Sequence, residues 1–288
     1  MAKARQIIKR RKAVQNIKKI TQTMQLVSTA RFQKCLQRAT ASKPYTEKIA
    51  EMIGALSGLE SIDHPLLKPN ESKQSIMLVM TSNRGLCGAY NASVLRTALA
   101  HERALQADGW TPSIEMVGKK GVNYLRFIRR APAWSMTDVE DRIEYRRVAE
   151  LATRYMTAYE AGKVGRVDIV YMQFISVGKQ IPTIATLLPI EPPKVEQGAN
   201  QRRVDFEFSP EPEKLLARLI PETVRIRLYQ YFNEAIVSEQ VFRMVAMKAA
   251  TDAAGDMQKS LTREYNRARQ SQITLELADI VGGAEAVK

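Results

Sequence analysis

The sequence predicts a mixed α/β fold: a long antiparallel coiled coil of the N- and C-terminal helices with an inserted Rossmann-like α/β domain. Three observations predict it. Both ends of the 288-residue chain carry apolar residues at helical spacing over long stretches. The middle alternates short apolar runs with amphipathic segments. No proline follows Pro221, so nothing interrupts the last helical stretch.

Residues 1–59 read as one long amphipathic N-terminal helix. Ile7, Val14, Ile17, Thr21, Met24, Ser28 and Cys35 recur near a 3,4 spacing, with Ile20 and Val27 on the neighbouring stripe. Pro44 is expected to kink or break this helix. Residues 60–75, with Pro65, Pro69, Asn70 and Ser72, read as a linker. The α/β domain is expected over residues 76–208. Its strands are placed at Ile76–Met80, Ile114–Val117, Val167–Phe174 and Gln180–Leu188, with an edge strand at Val204–Phe208. Its helices are placed at Asn91–Gln106, Lys120–Arg130 and Ile143–Glu160, an alternation that predicts a largely parallel sheet. Residues 209–288 read as a long C-terminal helix, with Pro210, Pro212 and Pro221 confined to its start. Val224, Leu228, Tyr231, Ala235, Ser238, Phe242, Val245 and Ala249 form a 4,3 seam that weakens at Asp252–Gly255 and resumes around Leu261, Ile273, Leu277 and Ile280. A helix of about 60–70 residues is roughly 90–105 Å long, more than a globule of this size can bury. Such a rod is expected to face another protein. Small and polar seam residues (Thr21, Ser28, Ala235, Ser238, Ala249) fit either an ordinary seam with weak spots or a rod that tolerates torsion.

An apolar content of 45% excludes wholesale disorder, and the longest apolar runs are far below the ~20 residues that cross a bilayer. Two cysteines, Cys35 and Cys87, exclude a disulfide framework. The net charge of +14 is concentrated at one end: residues 1–48 hold 13 of the 44 basic residues and one of the 30 acidic ones. Such a segment suits nucleic acid or an anionic membrane, an acidic protein partner, or an organelle transit peptide. Among its basic residues only Phe32 and Tyr45 interleave, too few for a stacking platform. A basic coiled-coil adaptor for nucleic acid is therefore the alternative function.

Catalytic chemistry finds little support. There is no phosphate loop of the G-x-x-x-x-G-K-[ST] type and no G-x-G-x-x-G. Gly85, Leu86, Cys87 and Gly88 follow a strand and precede a helix, where phosphate can bind, but two glycines three apart read as a tight structural turn. Cys87 has no base tied to it by a motif, since the two histidines are His64 in the linker and His101 in a helix. Asp138, Glu140, Asp141 and Glu144 cluster before a helix and read as solvated groups that favour its dipole. No catalytic, cofactor-binding or metal-binding residue is expected, and no cofactor.

Three stretches closely resemble the gamma subunits of the rotary F-type ATP synthases. They are Ala4–Arg31, with Val14-Gln15-Asn16, Lys19-Ile20-Thr21 and Met24; Thr81–Gly88; and the C-terminal blocks Ser238-Glu239, Arg243–Ala253, Tyr265–Gln270, Ile273-Thr274 and Ile280–Ala284. The resemblance implies a non-catalytic central-stalk rotor shaft, standing in a ring of three alpha and three beta subunits and coupling c-ring rotation to ATP synthesis or hydrolysis at the beta sites. It implies an α/β domain near the epsilon subunit and the c-ring. It also implies peripheral attachment to the cytoplasmic side of a bacterial inner membrane, no transit peptide being expected where the likeness begins by residue 4. By motif position, the expected contacts with the beta subunit are Arg10, Arg11, Lys18, Lys19, Met24, Arg243, Arg269, Gln270 and Thr274. Phe32, Cys35 and Ser271-Gln272 depart from the family pattern. The coupling ion, the c-ring size and the preferred direction leave no trace in the sequence.

Overall fold

A computed structural model describes residues 2–57, 64–190 and 212–286. The elements run α1 (Ala2–Ser57), β1 (Gln74–Met80), α2 (Tyr90–Ala107), β2 (Thr111–Val117), α3 (Lys119–Phe127), β3 (Trp134–Met136), α4 (Tyr145–Glu160), β4 (Arg166–Ser176), β5 (Lys179–Leu188) and α5 (Pro212–Ala286). They form two compact units, one of Met1–Thr29 with Arg243–Lys288 and one of Ala30–Phe242.

In the first unit α1 and α5 run antiparallel. Thr21 meets Thr251, Lys18 lies beside Gly255, and Arg11 sits over Tyr265, so partners rise in number along one helix as they fall along the other. The buried α1 residues are Ile7, Val14, Thr21 and Ser28, spaced by seven. Arg11, Lys18 and Gln25 lie half-buried between them, completing a heptad seam. On α5 the inward positions are Met247, Thr251, Ala254, Gln258, Leu261, Tyr265, Ala268 and Gln272. The expected seam is thus corrected on both helices. Ile17, Ile20 and Val27 are exposed, as are Val245, Ala249, Ile273, Leu277 and Ile280. Long basic side chains can bury their stems and keep their charge in water, so Arg11 and Lys18 fill seam positions that apolar periodicity assigns elsewhere.

The second unit is built on a five-stranded sheet of order β3-β2-β1-β4-β5. β4 and β5 pair antiparallel and every other pair is parallel. Met77 and Val79 join Val94, Leu95 and Ala98 of α2 in one core cluster. The alternate residues Leu78 and Met80 are buried too, so β1 is covered on both faces, as parallel strands require. β3, which is three residues long and starts two after Pro132, is too short to give a periodic signal and was missed by sequence reading.

Of the kink or break expected at Pro44, the break does not occur: α1 continues through it, and only one backbone donor is lost. The expectation for Pro221 is corrected. Pro221 lies inside α5 and not at its start. Burial of Ile220, Val224 and Leu228 offsets the missing bond, each worth about 1.5–3 kcal/mol when fully buried. The edge strand placed at Val204–Phe208 falls outside the described residues.

Candidate functional site

In an open parallel sheet the usual ligand site is the crevice at the carboxyl ends of the strands. Here that place is taken. Phe232, Ala235, Ile236 and Glu239 of α5 lie over Met80, Thr81 and Val117 at the ends of β1 and β2, leaving about 20 Å³, room for little more than one water. Tyr90 donates its hydroxyl to the Ala235 carbonyl at 3.2 Å, and Ser238 donates to the Met172 carbonyl at 3.0 Å. The Tyr90 and Phe242 rings meet edge-on at 5.8 Å, and Tyr171 and Tyr231 pack at 4.8 Å. Burial pushes the hydroxyls of Tyr171 and Tyr231 above the usual tyrosine range. They are neutral packing groups.

The loop after β1 is a hydrogen-bonded turn. Ser82 accepts from Asn91 Nδ2 at 2.8 Å and donates to the Arg84 carbonyl at 2.6 Å. Thr81 Oγ1 donates to the Val117 carbonyl at 2.7 Å and accepts the Gly121 amide at 2.9 Å. Leu86 and Gly88 both adopt left-handed backbone, which accounts for Gly88. Cys87 is buried under the turn and lines the domain core. The side chains of Thr81, Ser82 and Asn91 thus close the loop that carries Gly85, Leu86, Cys87 and Gly88.

Buried charges elsewhere in the second unit are paired. Asp168, fully buried, accepts from His101 Nε2 and Arg166 Nε, both at 2.7 Å, and from Thr186 at 2.9 Å. Burial opposes its ionisation, but these three donors prevail and hold the carboxyl below the usual range. Glu115 accepts from Arg154 and from Tyr155 at 2.7 Å, and Glu102 pairs with Arg130. Among the described residues no group of three or more His, Cys, Asp or Glu side chains can hold a metal ion, and no helix is long and apolar enough to cross a membrane.

The remaining candidate is the surface of the first unit. Arg10, Lys19, Arg269, Gln270 and Thr274 are exposed, Thr274 with its hydroxyl donating to the Gln270 carbonyl at 3.0 Å. Arg11 lies with its guanidinium 5.4 Å from the Tyr265 ring centre, and Met24 is half-buried. A groove of about 250 Å³ is lined by Arg5, Ile8, Tyr265, Arg269, Gln272, Ile273 and Glu276. A second, of about 540 Å³, is lined by Lys18, Gly255, Gln258, Lys259, Thr262 and Arg263. Arg243 differs from the rest: it is buried and engaged within the chain. Exposed apolar side chains, Ile17, Ile20, Leu26, Ile273, Leu277 and Ile280, accompany the charges.

The family model described as ATP synthase matches residues 3–287. The chain is 44% identical to the ATP synthase gamma chain of Rhodopirellula baltica and 37% identical to that of Leptospira biflexa, covering all of both proteins in each case. The chain belongs to the ATP synthase gamma chain family. Its fold resembles a chain of the Euglena gracilis mitochondrial ATP synthase rotor, with a TM-score of 0.67 at 18% identity over 94% of this chain and 99% of that one. A second Euglena gracilis structure, of the OSCP/F1/c-ring assembly, contains a chain matched with a TM-score of 0.68 at 16% identity over 99% of this chain and 95% of that one. As a gamma chain of the F-type complex, the protein is the central rotor stalk. For a gamma chain the crowded crevice has a simple sense: the place where such domains take a ligand holds the chain's own α5.

The sequence reading missed one residue. Asp141, taken as a solvated member of an acidic cluster, is two-thirds buried and bound to Arg31 and Gln240. Nothing in the run Asp138, Glu140, Asp141, Glu144 singles it out. Its partners lie about a hundred positions away in both directions.

Proposed function

We propose that this chain acts as the non-catalytic shaft of its complex. It carries rotation driven by the c-ring to the catalytic sites of three beta subunits, standing among three alpha and three beta subunits and meeting the epsilon subunit and the c-ring through its α/β domain. The observation that carries this is the surface of the first unit. Its seam is closed by the chain's own residues, yet its outside presents exposed apolar side chains beside a strong basic excess. A monomer rarely exposes both along one element unless a partner covers them.

The expected beta contacts are Arg10, Arg11, Lys18, Lys19, Met24, Arg269, Gln270 and Thr274. A shaft that meets three equivalent partners in turn must make exchangeable contacts, and long-range charge serves that better than a locked pocket. Arg243, being buried, would serve by holding the helix that carries the others. The site of action is the cytoplasmic side of a bacterial inner membrane, with attachment through the complex. The test is reconstitution with cognate alpha and beta subunits. A complex of three alpha, three beta and one gamma with sustained ATP hydrolysis is the expected result. Failure to associate, with tight binding of duplex DNA at physiological salt, would return the basic helix to the nucleic-acid alternative.

A further inference from the structure

We propose that Asp141 is the positioning residue through which the α/β domain grips both long helices, and that coupling depends on this grip more than ATP turnover does. It acts in the shaft role proposed above. Its carboxylate takes Arg31 Nη1 of α1 on Oδ2 at 2.5 Å and Gln240 Nε2 of α5 on Oδ1 at 2.8 Å. Its carbonyl accepts from Arg38 Nη1 at 3.1 Å and from the Cys35 thiol at 3.4 Å. Four donors from two helices thus converge on one residue of the loop 137–144.

That loop is anchored in turn. The Val139 carbonyl accepts from Asn83 of the turn after β1, and Asn83 Oδ1 accepts the Lys119 amide at 2.9 Å. Asp138 pairs with Arg147 at 2.7 Å, and Ile143 is buried. Load on α1 or α5 in this unit therefore reaches the strand ends through directional bonds. The apolar contacts nearby, such as Phe32 against Phe174 at 6.1 Å, are non-directional and permit sliding. Both Asp141 and Arg31 are about one-third exposed, so the pair adds little to stability. What it supplies is orientation, through charge-assisted hydrogen bonds of fixed geometry.

The experiment uses inverted membrane vesicles whose ATP synthase carries this chain, with ATP hydrolysis and ATP-driven proton pumping measured on the same preparation and normalised to assembled complex. In Asp141→Ala, which loses both carboxylate contacts, protons pumped per ATP are expected to fall about threefold or more while hydrolysis stays within about twofold. Asp141→Asn, which still accepts from Gln240, should lose less. The exchanged pair Arg31→Asp with Asp141→Arg should recover pumping relative to Asp141→Arg alone. Pumping and hydrolysis falling together, loss of assembled complex in both Asp141→Ala and Asp141→Asn, or no recovery in the exchanged pair would make the residue merely structural and overturn the proposal. Wild-type vesicles that hydrolyse ATP but pump neither protons nor sodium would instead overturn the shaft role itself, and the grip with it.

Discussion

At the scale of single residues, Gly118 is constrained by both conformation and space. Its φ is +92°, and a Cβ there would lie 2.2 Å from the Thr81 carbonyl oxygen. Gly118→Ala is expected to destabilise the second unit by on the order of 3 kcal/mol or to prevent folding, as urea unfolding would measure. Asp168 makes a pH prediction. A carboxyl whose folded pKa is depressed contributes stability above its unfolded pKa of about 3.9, and that stability is lost as the pH falls through the folded value. Stability should therefore decline from about pH 4 downward. Asp168→Asn leaves Arg166 facing an amide, so it should lower stability at pH 7 by about 3 kcal/mol and flatten the acid limb, measured as unfolding free energy against pH. At Arg11 the contact with Tyr265 is half-buried and worth about 1 kcal/mol, so Arg11→Ala should cost about that much in folding, read by thermal unfolding.

At the scale of elements, the paired helices of the first unit are held by modest contacts. Thr251 donates to Thr21 at 2.8 Å, and Thr21 donates to the Lys18 carbonyl at 3.1 Å. Gly255 sits mid-helix with only the Lys18 side chain near its missing Cβ, at 3.5 Å. Gly255→Ala should therefore raise the thermal stability of this helix pair by about 0.5–1 kcal/mol, read by circular dichroism. These elements also show what sequence can and cannot reveal. Ile7, Val14, Thr21 and Ser28 were legible because one helix meeting one partner repeats every seven residues. Val245 and Ala249 misled because α5 is buried on several sides up to Phe242. A single seam drawn through such a segment carries the wrong phase into the stretch beyond, where Met247, Thr251 and Ala254 face inward. β1, β2, β4, β5 and α2 to α4 were legible from alternating apolar runs, with boundaries off by up to three residues, whereas β3 was too short to show. The surface positions Arg269, Gln270 and Thr274 came from family likeness alone, since exposed polar residues on a helix leave no periodic mark. Asp141 was illegible because its role depends on residues distant in sequence.

At the scale of the whole molecule, the charge asymmetry makes a prediction about assembly. Reversing Lys18 and Lys19 together to Glu should weaken association with the alpha and beta subunits at low salt. The difference should shrink toward 1 M salt, where the Debye length is about 3 Å. Binding measured across a salt series checks it, and a salt-independent loss would point to packing. The filled crevice has another consequence, one for descent and for engineering. A nucleotide-binding domain of this sheet type keeps its cleft free, and so can be cut out, fused or traded between proteins as a unit. Here the cleft wall is Phe232, Ala235 and Ile236, encoded some forty codons beyond the last strand. A gene fragment ending at β5 would translate a domain lacking its own lining, with Tyr90 and Met172 bared to water. The chain is indivisible in this sense: its globular part cannot be inherited, borrowed or expressed without the helix that follows it.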